Sequence, residues 1–171
     1  KPETSTPGTW MRTGETSEVD DADDPLLGLV IDDRYRLERV LGSGGMSRVY
    51  QAAHVRSGGK VAIKIIELHL SHRPDTMKRC EQEARAMMEI QSNHVVRAYD
   101  VGTFPTGQLY VVMELLNGET LEDMIKRDGP IPWERVATMA LQICSGLIAG
   151  HKRGIFHRDV KPQNCMRIDL D

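Results

Sequence analysis

Between Tyr35 and Ile66 short runs of β-branched and aliphatic residues alternate with glycine-rich breaks. "YRLERVL", "SRVYQAAHV" and "KVAIKII" are separated by "GSGG" and "SGG", a pattern that predicts a three-strand antiparallel meander. Within "VAIK", Ala62 and Lys64 lie two apart and share one face of a strand, while Val61, Ile63 and Ile65 turn to the other. The period then changes. "PDTMKRCEQEARAMMEI" predicts a helix with Pro74 near its start, and Cys80, Glu83, Met87 and Ile90 fall on one of its faces. Two more strands fit "VVRAYDVG" and "QLYVVMELL", joined by the "TFPTG" turn. After "NGE" a short helix covers "TLEDMIKRDG", and a long one runs from about Trp133 to His151. The long helix is apolar along Val136, Met139, Ile143 and Leu147 and again along Leu141, Cys144 and Ile148. A helix apolar on several sides expects cover on most of them.

The first 25 residues show neither period. They are rich in Pro, Thr, Ser, Gly and acids and poor in large apolar residues, which predicts a disordered tail. Charge divides the chain in the same region. Residues 1–33 hold two bases against nine acids, a net of −7, whereas residues 34–171 carry +4. That surplus suits a site for anionic phosphates and is too weak to argue for nucleic acid. Cys80, Cys144 and Cys165 form no CxxC, so a reduced, cytoplasmic protein is expected. No apolar run approaches the roughly 20 residues that a membrane helix needs. This reading leaves open an anchor beyond Asp171. His69 and His72 in "HLSH" read as a surface pair without a metal-binding cluster, and the methionines as core filler.

Three stretches carry chemistry. "LGSGGMSRVY" places Gly42, Gly44 and Gly45 at a hairpin tip, where glycine lets backbone amides approach a phosphate chain. Taken alone it reads more simply as a plain hairpin turn, since Gly-rich hairpins are common, and neither a Walker loop nor a dinucleotide fingerprint fits. In "VAIK" a small residue beside a base could place an adenine and an ammonium in one cleft. An inward Lys64 needs a partner, and Glu83 on the apolar helix face is the candidate. "HRDVKPQN" offers a carboxylate, a cation and an amide oxygen at Asp159, Lys161 and Asn164. Phosphoryl transfer needs such a set, to orient a hydroxyl, to place positive charge on the moving group and to ligate Mg²⁺.

"LGSGGMSRV", "VAIK" and "HRDVKPQN", in this order, resemble the eukaryotic-like protein kinase family, and the texture is similar to its bacterial Ser/Thr members. The similarity covers roughly Tyr35 to Met166. The resemblance implies that Leu41, Gly42, Ser43, Gly44, Gly45, Met46, Ser47, Arg48 and Val49 form the loop over ATP, with Val49 and Ala62 against adenine. It implies that Lys64 holds the α- and β-phosphates and pairs with Glu83. Met113 would be the gatekeeper, the Glu114 carbonyl and Leu116 amide would meet the adenine edge, and Met166 would form the adenine floor. Asp159 would be the catalytic base, Lys161 would stabilise the transferred phosphate, and Asn164 would bind Mg²⁺. His157 reads as a packed, structural histidine. Arg158 beside Asp159 implies control through a phosphorylated activation loop.

The sequence departs from the family pattern twice. Ser47 stands where the loop's third glycine is expected, and no Asp-Phe-Gly occurs among the 171 residues. The expectation is therefore the front part of an α+β, two-lobed kinase-like fold. A tail would span 1–33, an N-lobe of five antiparallel strands and one helix 34–116, and the start of a helical C-lobe 117–171. The expected activity is ATP- and Mg²⁺-dependent phosphorylation of protein Ser/Thr by the parent protein, with the fragment inactive alone. A pseudokinase scaffold and a small-molecule phosphotransferase are the alternatives. The joint presence of Lys64, Glu83, Asp159 and Asn164 argues against the first, and the Lys161-Pro162 pair after the loop Asp against the second.

Overall fold

The alternation in the first half of the chain folds into one twisted antiparallel sheet. The computed structural model describes residues 24–44, 47–66, 74–104 and 106–168, with helix side chains from residue 81 onward. Its strands are β1 (Val30–Ile31), β2 (Tyr35–Gly44), β3 (Ser47–His54), β4 (Lys60–Ile66), β5 (Ala98–Thr103) and β6 (Leu109–Glu114). They stand in the order β1-β2-β3-β4-β6-β5. The sheet thus has one strand more than the pattern predicts. The addition is β1, which pairs Val30 with Arg36 and Ile31 with Tyr35. Residues 24–33, which the acidic composition groups with the tail, instead lie on the sheet. Gly28 N–H donates to the Leu37 carbonyl at 2.9 Å and Leu37 N–H to the Leu29 carbonyl at 2.9 Å. Residues 1–23 lie outside the described residues.

Because side chains alternate along a strand, the sheet sorts its residues into two cores. The back face gathers Ile31, Tyr35, Leu37, Tyr50, Ala52, Ile63, Ile65, Tyr110 and Val112, with Leu26 and Leu27 packed over them. The front face gathers Val101, Leu109, Val111 and Ala98 against Ala84 of helix α1 (Pro74–Met87). Val61, Ile63 and Ile65 turn to the back as the period-2 reading expects. Among the described side chains of α1 the fully buried one is Ala84, flanked by a half-buried Glu83, with Met87 packed beside it. Ile90 is buried beyond the helix end.

The second half begins with β7 (Gly118–Thr120), which pairs with β8 (Met166–Ile168) in a separate two-stranded ladder. Helix α2 (Leu121–Asp128) starts at a capping box: Thr120 Oγ1 accepts from Asp123 N–H at 3.0 Å. It ends at Gly129, whose positive φ of 78° lets its N–H return to the Ile125 carbonyl. Helix α3 runs Trp133–His151, the predicted span. Its buried residues are glycines, Gly146 and Gly150. A Cβ on Gly146 would lie 2.6 Å from the His94 carbonyl, so this helix meets the loop before β5 backbone to backbone. Most of its apolar surface is open, with Leu141 70% exposed.

Candidate active site

The glycine-rich stretch is the turn between β2 and β3. Gly42 pairs with Val49, Ser43 with Arg48 and Gly44 with Ser47, while Gly45 and Met46 at the tip lie outside the described residues. Ser47 pairs with Gly44 on one side and Ile66 on the other and is buried. Its extended backbone makes no demand for glycine, so the serine fits where the family loop has its third glycine. The β2 ladder is irregular between Leu37 and Arg39 and between Val40 and Gly42, and Leu41 falls in the second irregularity.

Register carries the site across the sheet. Val49 stands opposite Lys64, Lys64 opposite Val111, and Ala62 opposite Met113. Directly paired residues point to the same face, so Val49, Ala62, Lys64, Val111 and Met113 share the front. Ala62 contributes a small, buried side chain there, and Met113 and Leu116 are half-buried at the edge leading to the second half. Lys64 is only 5% exposed. Burial lowers its pKa from 10.5 to about 8, because desolvation penalises the ammonium. Its neighbour Val111 packs in the same cluster as Ala84 and Met87 of α1, which brings the Glu83 helix against this part of the sheet. Glu114 closes the strand: its N–H donates to the Arg97 carbonyl at 2.9 Å, and its Oε1 accepts from Arg97 N–H at 2.7 Å.

The loop after α3 folds back on itself. Arg158 adopts a left-handed φ of 61°, which turns the chain sharply before Asp159. Asp159 N–H donates to His157 Nδ1 at 3.3 Å, and Lys161 Nζ reaches Asp159 Oδ2 at 2.9 Å. A short 3-10 turn, Pro162–Asn164, carries Asn164 back to the same residue. There the Asn164 amide donates to the Asp159 carbonyl at 2.8 Å and to Oδ2 at 3.0 Å. Asn164 Oδ1, by contrast, is buried and accepts no hydrogen bond among the described residues. A buried acceptor left open is costly in a folded protein, and it fits an oxygen ligand awaiting a hard cation. His157 is half-buried, and desolvation lowers its pKa; the Asp159 charge opposes that shift, and the Lys64 charge adds to it.

Several supports carry no sequence signal of their own. Gln163 donates to Glu122 of α2, and Leu121 N–H donates to the Cys165 carbonyl at 2.8 Å, so the start of α2 holds the loop and the residue after it. Met166, 37% exposed, opens β8 opposite Thr120. Arg167 and Arg127 both reach Glu119. The Thr120–Asp123 capping box is the one part of this support that a sequence pattern announces.

Residues 35–169 match the protein kinase domain family. The chain belongs to that family. Among curated proteins it is 38% identical over 148 residues to the serine/threonine-protein kinase PknH of Mycobacterium bovis and 43% identical over 132 residues to PknE of the same organism. These alignments cover 86% and 77% of the chain but only 24% and 23% of the two kinases. Among solved structures, the PknI kinase domain of Mycobacterium tuberculosis superposes with a TM-score of 0.74 at 25% identity. That match covers 82% of this chain and 58% of the PknI chain. The kinase-like fold expected from the three motifs is thereby established. Among the described residues, no helix is long and apolar enough to cross a membrane.

Proposed function

We propose that this chain supplies the nucleotide-binding sheet and catalytic loop of an ATP- and Mg²⁺-dependent protein serine/threonine kinase. The observation that carries the reading is the Asp159 cluster. Lys161 and Asn164 both hold its carboxylate, while Asn164 Oδ1 is buried without a hydrogen-bond partner among the described residues. The family match and the relatives' names support the same activity.

In this reading the front face of β3, β4 and β6 receives ATP, with Val49, Ala62 and Met166 bracketing the adenine. Met113 is the gatekeeper, and the Glu114 carbonyl and Leu116 amide meet the adenine edge. Lys64 binds the α- and β-phosphates with Glu83 as its partner, and the bound phosphates raise its lowered pKa. Asp159 orients the hydroxyl of a protein Ser or Thr and takes its proton. Lys161 stabilises the transferring phosphate, and Asn164 Oδ1 holds Mg²⁺. Bound Mg²⁺ neutralises charge on the phosphate oxygens. Most of the catalysis is then positioning and electrostatics. The sequence contains no Asp-Phe-Gly, and we propose that the 171-residue polypeptide by itself transfers no phosphoryl group.

Radioactive phosphate transfer to a basic protein by the full-length protein tests this reading. Asp159→Asn is expected to lower the rate by roughly 10³-fold while Mg-ATP still binds, the size of effect a positioned base supplies. Transfer that survives the substitution would overturn the assignment. ATP binding without transfer in the wild type would favour a signalling scaffold.

A further inference from the structure

We propose that Asp24, outside the region matched by the family, is a positioning residue for the glycine-rich hairpin. The proposal goes beyond the nucleotide-binding reading and rests on it. The Asp24 side chain is 1% exposed, yet it lies ahead of β1 in an acidic stretch that composition assigns to solvent. Its Oδ2 accepts from Arg48 Nη1 at 2.9 Å and from the Tyr50 hydroxyl at 2.9 Å, and its Oδ1 accepts from Leu26 N–H at 2.9 Å. A carboxylate so buried persists only when its oxygens are bonded in this way.

The position of the two donors on β3 gives the contact its meaning. Tyr50 stands opposite Val40 and Arg48 opposite Ser43, and the second irregularity of the β2–β3 ladder lies between those pairs. A bulge bends and twists the strands beyond it, leaving their aim weakly specified by the ladder. Asp24 thus grips the hairpin from behind on both sides of its bend, one residue pair short of the last described pair, Gly44–Ser47. The grip is on the back face, because Tyr50 belongs to that core and Arg48 alternates with the front-facing Val49. Leu26 and Leu27 seat the segment on the same core, so the anchor is fixed at its own end. Asp24 touches no nucleotide in this arrangement. It sets the height of the hairpin over whatever the front face binds.

The test uses the full-length protein with Asp24→Ala, Asp24→Asn and Tyr50→Phe. Hydrogen exchange without nucleotide is expected to speed up at residues 42–49 in Asp24→Ala, with β4 and β6 protected as in wild type. KM for ATP is expected to rise about fivefold with kcat of the same order, since one charge-assisted contact is worth about that much or more. Asp24→Asn, which keeps an acceptor for Tyr50, should fall between. Tyr50→Phe changes little volume and should shift both readouts the same way, so the proposal remains testable if Asp24→Ala does not fold. Unchanged exchange and unchanged KM in folded variants would overturn it, as would a uniform rise in exchange across the whole sheet. A wild-type protein that shows no saturable Mg-ATP binding would overturn the underlying nucleotide reading instead, whatever the exchange result.

Discussion

Asn164 binds Asp159 twice with one amide group, at the main-chain oxygen and at Oδ2, and turns its own oxygen away from both. The residue thereby sets the orientation of the loop carboxylate and leaves Oδ1 without a hydrogen-bond donor among the described residues. Asn164→Ala removes both functions together. The expected result is a rise of at least about tenfold in the Mg²⁺ concentration that half-activates transfer, with the fold retained. Metal titration of activity against thermal unfolding checks it.

Lys64 gives a pH signature. Its pKa is lowered to about 8 from 10.5 by burial. Below about pH 8 the folded and unfolded chains both carry the proton, and between 8 and 10.5 only the unfolded chain does. Stability of the nucleotide-free protein should therefore rise with pH across that window, by up to about 3 kcal/mol for this group. Nucleotide affinity should move the other way, weakening above pH 8 as the ammonium is lost. Lys64→Met should flatten both profiles, which calorimetry and ATP titration at several pH values would reveal.

Gly146 sets how closely α3 approaches the sheet's neighbouring loop. A methyl group there meets the His94 carbonyl at 2.6 Å and Val95 Cγ2 at 3.2 Å. Backbone on one side and helix on the other leave no easy retreat. Gly146→Ala should destabilise the protein by about 1–3 kcal/mol despite the better helix propensity of alanine. Chemical denaturation measures it, and a neutral result would mean that the helix slides.

The open faces of α3 motivate the prediction that the 171-residue polypeptide self-associates. Trp133 is 74% exposed and Ile148 53%, beside Leu141. Replacing Leu141 and Ile148 by lysine should lower its light scattering without loss of helix, since neither side chain is in the core. Equal scattering from both versions would place the sticky surface elsewhere.

What the sequence revealed followed from periodicity and from rigid local chemistry. The two faces of β4 separate Lys64 from Ile63 and Ile65 because side chains in a strand alternate strictly. The limits of α3 show in its apolar run, which spans Trp133–His151 in sequence and structure alike. The segment before β2 was hidden for the opposite reason. "LLGLVI" follows "DDADDP", and the acids dominate any window that spans both. Its order comes from contacts distant in sequence, Asp24 with Tyr50 and Asp32 with Tyr110 at 2.8 Å. The β7–β8 pair escaped notice because three-residue strands 45 or more residues apart have no period to read. In α1 the helical stripe pointed to Cys80, whose side chain lies outside the described residues, and to Glu83; among the described side chains of the helix the buried one is Ala84, where a small side chain permits close approach.

The family match begins at residue 35, a natural place to start a shortened polypeptide. Such a cut would remove Leu26, Leu27 and Ile31 from the back of the sheet. It would also take away both carboxylates that accept from the Tyr50 and Tyr110 hydroxyls. Two phenols would be left facing an opened apolar surface. A polypeptide that begins ahead of Asp24 keeps this cover, whereas one that begins at residue 35 keeps the front face intact in sequence but leaves the opposite side of the sheet open.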